Sequence, residues 1–204
     1  MTTLRPHPPI DALHFLRRHV SGVIIADEAI YPRRFVLDPA SGTPVAALPL
    51  GVEEAESIVL HVPDEGDPSL QLLVELRWLE TGGTDGAAGD RFLIYHGKGE
   101  DSRLASLTVL DAKWTMGVAL VEDLIVPNPV AGDEPRLCKR LNADRARLAA
   151  IVLEHAGRDV AEPLAVGVDP DGIDIRTRTG LVRVEFIERA TPAAVRATIE
   201  AWTS

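Results

Sequence analysis

The chain of 204 residues carries 31 acidic and 21 basic side chains, which gives a formal net charge of −10 at pH 7. With 46% hydrophobic and 25% charged residues, the composition is that of a globular protein and excludes a disordered or collagen-like chain. The excess of acids argues against nucleic acid and against an anionic membrane surface as partners, because both are negatively charged.

The distribution of cysteine and apolar residues predicts a cytoplasmic protein. Cys138 is the only cysteine, which excludes an internal disulfide and a cysteine-based zinc cluster. Residues 1–8 contain no apolar segment of the kind found in secretory signals. The longest uninterrupted apolar run, residues 148–153, is far shorter than the ~20 residues of a membrane-spanning helix.

The first part of the chain predicts one short helix followed by many strands. Ile10, Leu13, Leu16 and Val20 recur at helical spacing. Strand-like runs occupy residues 22–26, 34–37, 44–47, 57–62, 70–79, 104–110 and 115–121, with a turn at 38–43 and a short helix over 90–96 that Gly97 ends. Many short strands with few helices predict a barrel or a sandwich.

Two segments interrupt this pattern. Residues 81–89 are small and polar and predict a loop. Residues 126–135 contain three prolines and a glycine, so neither a helix nor a central strand can cross them. We therefore predict two domains, residues 1–127 and residues 133–204.

The second domain predicts the order helix, three strands, helix. One helix begins after Asp133 and ends at Gly157. Alternating apolar residues predict strands near 164–168, 173–175 and 182–186, with turns at 169–172 and 179–180. Thr191 and Pro192 begin a last helix. The predicted fold class is α+β.

Three features of this domain carry a resemblance. They are Leu141-Asn-Ala-Asp144, the hairpin Gly167-Val-Asp-Pro-Asp-Gly-Ile-Asp174, and Phe186 before a helix containing Arg196. Together they resemble the small C-terminal domain of bacterial haem-iron utilisation proteins, which also accompanies the plant protein that binds glutamyl-tRNA reductase. In those families the domain follows an antiparallel split β-barrel related to pyridoxamine-phosphate oxidase.

The first part of the chain is similar to that barrel at Tyr31-Pro32, in the turn from Asp38 to Pro44, and at Met116-Gly-Val-Ala119. The resemblance implies a split β-barrel followed by a small α-β-β-β-α domain. It also implies a homodimer, because split barrels generally build their ligand site across a two-fold interface.

The resemblance implies an FMN site, and the residues argue against it. The relatives hold the flavin phosphate with hydroxyl and cationic side chains after the third barrel strand, where this chain has Glu53, Glu54 and Glu56. Carboxylates repel a phosphate dianion, so we expect the protein to purify without FMN. Arg33 and Arg34 are candidates for a different anion site; the alternative is that one of them points outward and pairs with a glutamate.

Haem is the second cofactor that the resemblance suggests. The relatives have Asn-Ala-Asp-His where this chain has Arg145, and haem-degrading members use a histidine in a C-terminal tail, whereas no histidine follows His155 here. His61 and His96, at the ends of predicted elements, are the remaining candidate ligands. A lone histidine is more often a surface or core residue.

Four further side chains are candidate site residues. Lys113 and Trp114 together can flank an aromatic ligand by charge and stacking; the alternative is that they anchor an interface. Asp144 falls on the apolar stripe of the predicted helix, so we expect it to be buried and bonded across the domain junction. Asn142 is expected to bond the interdomain linker.

These observations leave two functions open. The first is binding of a flavin- or tetrapyrrole-like ligand by a divergent member of this group, with possible oxidoreductase activity. The alternative is a non-catalytic regulatory module that binds a partner protein. For the homodimer, the apolar runs 70–79 and 104–121 predict an interface of more than ~1,000 Å² with Trp114 or Trp78 near its centre.

Overall fold

The computed structural model describes residues 11–63, 66–80, 85–97 and 102–204. Within these ranges the chain forms a closed antiparallel barrel and a separate three-stranded sheet, with helices around both. The barrel strands are β1 (Ser21–Ala26), β2 (Ala29–Leu37), β3 (Pro44–Leu48), β4 (Ile58–Val62), β5 (Leu70–Trp78) and β6 (Arg103–Trp114). The second sheet consists of β7 (Leu164–Asp169), β8 (Gly172–Thr177) and β9 (Gly180–Glu185). The helices are α1 (Ala12–Arg18), α2 (Gly86–His96), α3 (Val121–Leu124), α4 (Glu134–Leu141), α5 (Arg145–Ala156) and α6 (Pro192–Trp202).

The predicted α+β class is confirmed. The barrel strands come first in the chain; α4 and α5 then precede the three strands of the second sheet, and α6 follows them. Ile10 and residues 81–84 of the predicted loop lie outside the described residues. A single 3₁₀ turn, Val52–Glu54, follows β3.

The barrel closes in the order β1-β2-β3-β6-β5-β4. β2 pairs with β1 through its first six residues and with β3 through its last three, so this one long strand takes part in two neighbouring pairings of the barrel. Successive side chains of each strand point in and out. The interior is filled by apolar side chains, among them Phe35, Leu60, Leu72 and Leu107, all fully buried.

One predicted strand is wrong. Residues 115–121 turn away after β6 and end in the short helix α3. The barrel is already closed by six strands, and β6 pairs with β3 and β5 on its two sides. A seventh strand in that position has no partner for its backbone groups.

The helix predicted from Asp133 to Gly157 is two helices. α4 ends at Leu141, and α5 begins after Asp144, whose side chain accepts a hydrogen bond from the backbone N–H of Arg147 at 2.9 Å. Asp and Asn compete for backbone groups and favour helix ends. The apolar spacing alone did not reveal this break, because both helices cover the same sheet.

Two cores and a bridging cluster hold the fold together. The barrel has one core, and the second sheet forms another with α4, α5 and α6. A third apolar cluster joins them: Val36 and Val45 on the outside of the barrel, Phe92 and Tyr95 of α2, and Val166 of β7. The two units are therefore packed through α2.

Candidate functional site

Arg33 and Arg34 lie on opposite faces of β2. Arg34 is exposed on the outside of the barrel, whereas Arg33 lies opposite the buried Gly22 on the inner face. The Arg33 guanidinium donates to the Pro32 carbonyl at 2.9 Å and lies over the Tyr31 ring at 5.3 Å. Its Nε is buried with no hydrogen-bond partner. The two arginines therefore cannot bind one small anion together.

The three glutamates after β3 are exposed. Glu53 folds back to accept a hydrogen bond from the Gly51 N–H at 2.8 Å. Among the described residues, neither Arg33 nor Arg34 forms an ion pair with Glu53, Glu54 or Glu56. The outward orientation is therefore found for Arg34, without a pairing to any of these three glutamates.

Lys113 and Trp114 do not act as a pair. They are neighbours on β6, so Lys113 is exposed outside the barrel while Trp114 points inward and is 8% exposed. The Trp114 ring packs on Phe15 of α1 with ring centroids 4.6 Å apart. A single aromatic ligand cannot contact both side chains. Trp114 is therefore almost fully covered within the chain, whereas Trp78, on the inner face of β5, stays partly exposed.

Asn142 and Asp144 act within the second unit. Asn142 donates to the Ala165 carbonyl at 2.9 Å and accepts from the Ala165 N–H at 2.7 Å, which fastens the end of α4 to β7. Asp144 is exposed and caps α5, so its predicted burial is wrong. The reason is the helix break, which removes Asp144 from the stripe that joins Leu141 to Leu148.

The two candidate haem histidines each bond a backbone carbonyl. His61 Nδ1 lies 2.8 Å from the Pro63 oxygen, and His96 Nε2 lies 2.9 Å from the Phe35 oxygen. Burial lowers the pKa of His96, so its neutral form is favoured. Each histidine therefore has a structural role, bonding a backbone carbonyl, which is the commoner alternative for a lone histidine.

Sequence reasoning missed a buried charged network at the junction between the barrel and the second sheet. One half is centred on Asp171, in the turn between β7 and β8. Its carboxylate accepts from Arg17 of α1 at 2.8 Å and from Arg189 at 2.8 Å, and it lies 3.3 Å from His14 Nδ1. The Asp171 side chain is 0% exposed and that of Arg17 is 6% exposed.

The pKa of Asp171 reflects this setting. Burial by itself raises the pKa of a carboxyl. Hydrogen bonds from His14, Arg189 and Arg17 outweigh burial and hold the pKa of Asp171 well below its usual value. The group is therefore charged in the folded protein, and it ties α1 to the β7–β8 turn.

The other half of the network runs from α2 to the second sheet. Arg91 donates to Glu134 of α4 at 2.8 Å and to the Tyr95 hydroxyl at 2.8 Å. The Tyr95 hydroxyl in turn donates to Asp174 of β8 at 2.9 Å. Arg183 of β9 completes the chain, with bonds of 2.8 Å to Asp174 and 2.6 Å to Asp169.

The charges in the junction network balance. Four arginines face four acids: Arg17, Arg91, Arg183 and Arg189 against Glu134, Asp169, Asp171 and Asp174. Burial raises the pKa of Tyr95 well above its usual value, and the nearby Asp174 charge raises it further, so Tyr95 stays a hydrogen-bond donor. Two cavities of about 30 Å³ adjoin Arg17, Arg91 and Asp169, each with room for about one water. The network is suited to holding the two units together, since these two cavities are too small for an organic ligand.

Two signals for the network were present in the sequence. Arg91 and Tyr95 are four residues apart, the spacing that brings side chains together on a helix. Asp171 and Asp174 lie in a hairpin whose turn composition explained them without a buried role. Nothing in the residue pattern indicates which arginines reach them.

The outside of the barrel carries a row of apolar side chains. Ile25 of β1 lies opposite Ile30 of β2 and Val59 of β4, and Val59 lies opposite Leu73 of β5. The residue of β6 directly opposite Leu73 is the exposed Asp111, and Leu110, the extra residue of a bulge, lies next to it. We call the five apolar side chains the wall row. Ile30 is 67% exposed, Leu73 38% and Leu110 56%.

Charges of opposite sign flank the wall row. Arg34 and Lys113 lie on the side nearer α1, and Glu28 and Glu75 lie on the other side. All four are exposed, and among the described residues none of them forms an ion pair. The wall row is therefore an apolar band between a basic edge and an acidic edge.

Comparison with known proteins shows the fold. No family model matches the chain, and a search of curated proteins also found no match. Among solved structures, the chain is similar to Atu2129, a protein of unknown function from Agrobacterium tumefaciens, with a TM-score of 0.70 and 20% sequence identity over 98% of this chain and 100% of that one. The two proteins share a fold.

A second similar structure superposes loosely. It is a heme binding protein from Mycobacterium smegmatis, with a TM-score of 0.41 and 20% identity over 98% of this chain and 99% of that one. Within the described ranges, no helix combines the length and apolar character needed to span a bilayer. Nor do the described histidine, cysteine and acidic side chains form a group of three or more placed to hold a metal ion.

Proposed function

We propose that the chain is a non-catalytic binding module that works as a homodimer, with two barrels paired through the wall row. The observation that carries this proposal is the row itself: four apolar side chains in register on the adjacent strands β2, β1, β4 and β5, with Leu110 at the bulge of β6. A closed barrel has no free strand edge to offer, so its association takes place through side chains. Contiguous exposed apolar surface of this kind marks interaction sites.

The flanking charges favour a second copy as the occupant. A two-fold axis that lies in the plane of the wall and runs along the row places the two rows face to face. The same operation places the basic edge of each copy opposite the acidic edge of the other, so that Arg34 approaches Glu28 and Lys113 approaches Glu75 of the second copy. Self-complementarity of this kind is what a two-fold interface requires.

Light scattering at micromolar concentration tests the proposal. We expect twice the mass of one chain for the wild type and the mass of one chain for Leu73→Asp, which buries a charge in the row. Leu153→Asp is the matched control, because Leu153 is 54% exposed on α5, outside the row, and it should stay dimeric. Unchanged circular dichroism of Leu73→Asp excludes unfolding as the cause. A monomeric wild type overturns the proposal.

A charge-reversal pair tests the orientation of the two copies. Lys113→Glu and Glu75→Lys should each weaken the dimer by placing like charges in contact, and the double variant should restore it. If the double variant is weaker than both single variants, the copies do not pair about this axis.

A second candidate is binding of a flavin- or tetrapyrrole-like ligand, with possible oxidoreductase activity, as the resemblance implies. The observation that favours it is Arg33, whose buried Nε has no partner beside Tyr31. An acidic ligand group reaching the inner side of β2 would accept from that nitrogen. An absorption spectrum of the purified protein, followed by FMN and haem titrations, tests this candidate. Binding that Arg33→Ala weakens and Arg34→Ala does not would support it.

A further inference from the structure

A third cavity lies away from the wall row and borders the junction network at Arg189. It has a volume of about 340 Å³ and is open at the protein surface between the start of α1, the segment 118–124 and Arg189. This volume falls within the ~300–1,000 Å³ of small-molecule sites. Its apolar lining comes from Ala12, Leu13, Val118, Ala119, Leu120 and Leu124, and its polar lining from Asp11, Asp123 and Arg189.

The apolar wall includes some of the most exposed apolar side chains of the protein. Val118 is 87% exposed and Leu120 is 50% exposed. Both belong to the irregular segment between β6 and α3, and none of the described strands or helices covers them. Exposure of apolar residues around a concave site favours a ligand with an apolar body.

The charged residues around the cavity favour a ligand of positive charge. Arg189 is neutralised within the protein, because it donates to Asp171 at 2.8 Å and to Asp11 at 3.1 Å. Asp123 differs: among the described residues its carboxylate has neither an ion pair nor a hydrogen bond. One exposed carboxylate without a partner among the described residues therefore lies beside the apolar side chains of the cavity, in a protein whose net charge is −10, and a cation is attracted on both counts.

We propose that this cavity binds an amphipathic organic cation, an amine or quaternary ammonium on an apolar body, with Asp123 as the counter-ion. The apolar body lies against Leu13, Val118 and Leu120. The ammonium group lies at the Asp123 carboxylate, where a charge-assisted hydrogen bond or ion pair forms. This site is separate from the dimer interface, so either proposal can fail without the other.

Calorimetry with two probes of similar shape tests the site on the full chain. The probes are 3-phenylpropylammonium and 4-phenylbutanoate, which share an aromatic body and differ in the sign of the head group. We expect the cation to bind, with weaker binding at higher salt, and the anion to bind at least tenfold more weakly. Absence of cation binding at millimolar concentration overturns the proposal, and so does equal or tighter binding of the anion.

Two neutralising variants locate the counter-ion. Asp123→Asn should weaken binding of the cation at least tenfold. Glu122→Gln is the matched control, because Glu122 is the exposed neighbour of Asp123 in α3 and does not line the cavity; it should bind like the wild type. Leu120→Gln should also weaken binding by making the apolar wall polar. Equal effects of Asp123→Asn and Glu122→Gln would show a general charge effect and would overturn the assignment of Asp123.

Discussion

Arg17 of the first helix donates a hydrogen bond of 2.8 Å to Asp171, which follows it by 154 residues in the turn between β7 and β8. Both side chains are buried. The contact joins the helix that closes one end of the barrel to the hairpin of the second sheet. The packing of the two units thus depends on a charged pair as well as on the apolar cluster around α2.

Loss of the buried carboxylate should be strongly destabilising. Asp171→Ala leaves Arg17 buried without its partner, and we expect the free energy of unfolding to fall by about 3–5 kcal/mol. The control is Arg18→Ala, since Arg18 pairs with Glu185 and both side chains are about one third exposed; such a pair contributes roughly 0–1 kcal/mol. Urea denaturation of the three proteins measures both changes. Similar midpoints for Asp171→Ala and the wild type would contradict the structural role of the network.

The pKa of Asp171 predicts how stability depends on pH. Because this pKa lies below its usual value of 3.8 in the folded protein, the unfolded chain binds the proton more readily. The stabilisation by Asp171 is therefore fully present above about pH 5 and is lost as the pH falls below about 4. Asp171→Asn should show a shallower loss of stability between pH 5 and pH 3 in denaturant titrations. An identical slope in both proteins would show that other carboxyls govern acid unfolding.

Asn142 and Asp144 should differ in their effect on stability. Asn142→Ala removes both hydrogen bonds to Ala165 and leaves its backbone groups without those partners, which costs about 1–3 kcal/mol. Asp144→Ala removes the exposed cap of α5 and costs about 1 kcal/mol. Asp144→Ser, which also caps helices, should recover most of the loss. Melting temperatures of the three variants test this order, and a larger loss for Asp144→Ala than for Asn142→Ala would contradict it.

Gly167 should tolerate no side chain. A Cβ added at this position would overlap the Tyr95 hydroxyl, in the packed contact between α2 and β7. We expect Gly167→Ala to destabilise the protein by about 1–3 kcal/mol. Gly132→Ala is the control, because a Cβ there meets nothing within 4 Å. Tyr95→Phe removes the overlapping oxygen, so a double-mutant cycle should show coupling between the two positions; strictly additive losses would argue against the contact.

The thiol of Cys138 should be slow to react in the folded protein. Burial raises the pKa of Cys138 to about 12 from 9.0, and the nearby Glu134 charge adds to the effect. Three units of pKa lower the thiolate fraction about a thousandfold near pH 8. Labelling with a thiol reagent at pH 8 should therefore be slow in buffer and fast in 8 M urea. Fast labelling of the folded protein would show that the side chain is accessible.

Most of the secondary structure and the fold class could be predicted from the residue pattern alone. Alternation of apolar residues predicted the barrel strands and the three strands of the second sheet, because one face of each is buried and the other is not. Thr191 and Pro192 predicted the start of α6 for a local reason, the capping of free backbone groups. At Asn142 and Asp144 the apolar stripe predicted one continuous helix, whereas the capping residues favoured a helix end. The structure follows the capping residues, since α4 ends at Leu141 and α5 begins after Asp144.

The contacts between side chains depend on the tertiary structure. Lys113 and Trp114 are adjacent in sequence and are separated by the barrel wall, whereas Arg17 and Asp171 are far apart in sequence and form a buried pair. The wall row depends on the register of five strands, and a shift of one residue in any strand would turn its side chain inward. Register and barrel closure arise from long-range pairing of strands. A single sequence shows the periodicity of each strand but not which strands lie beside it.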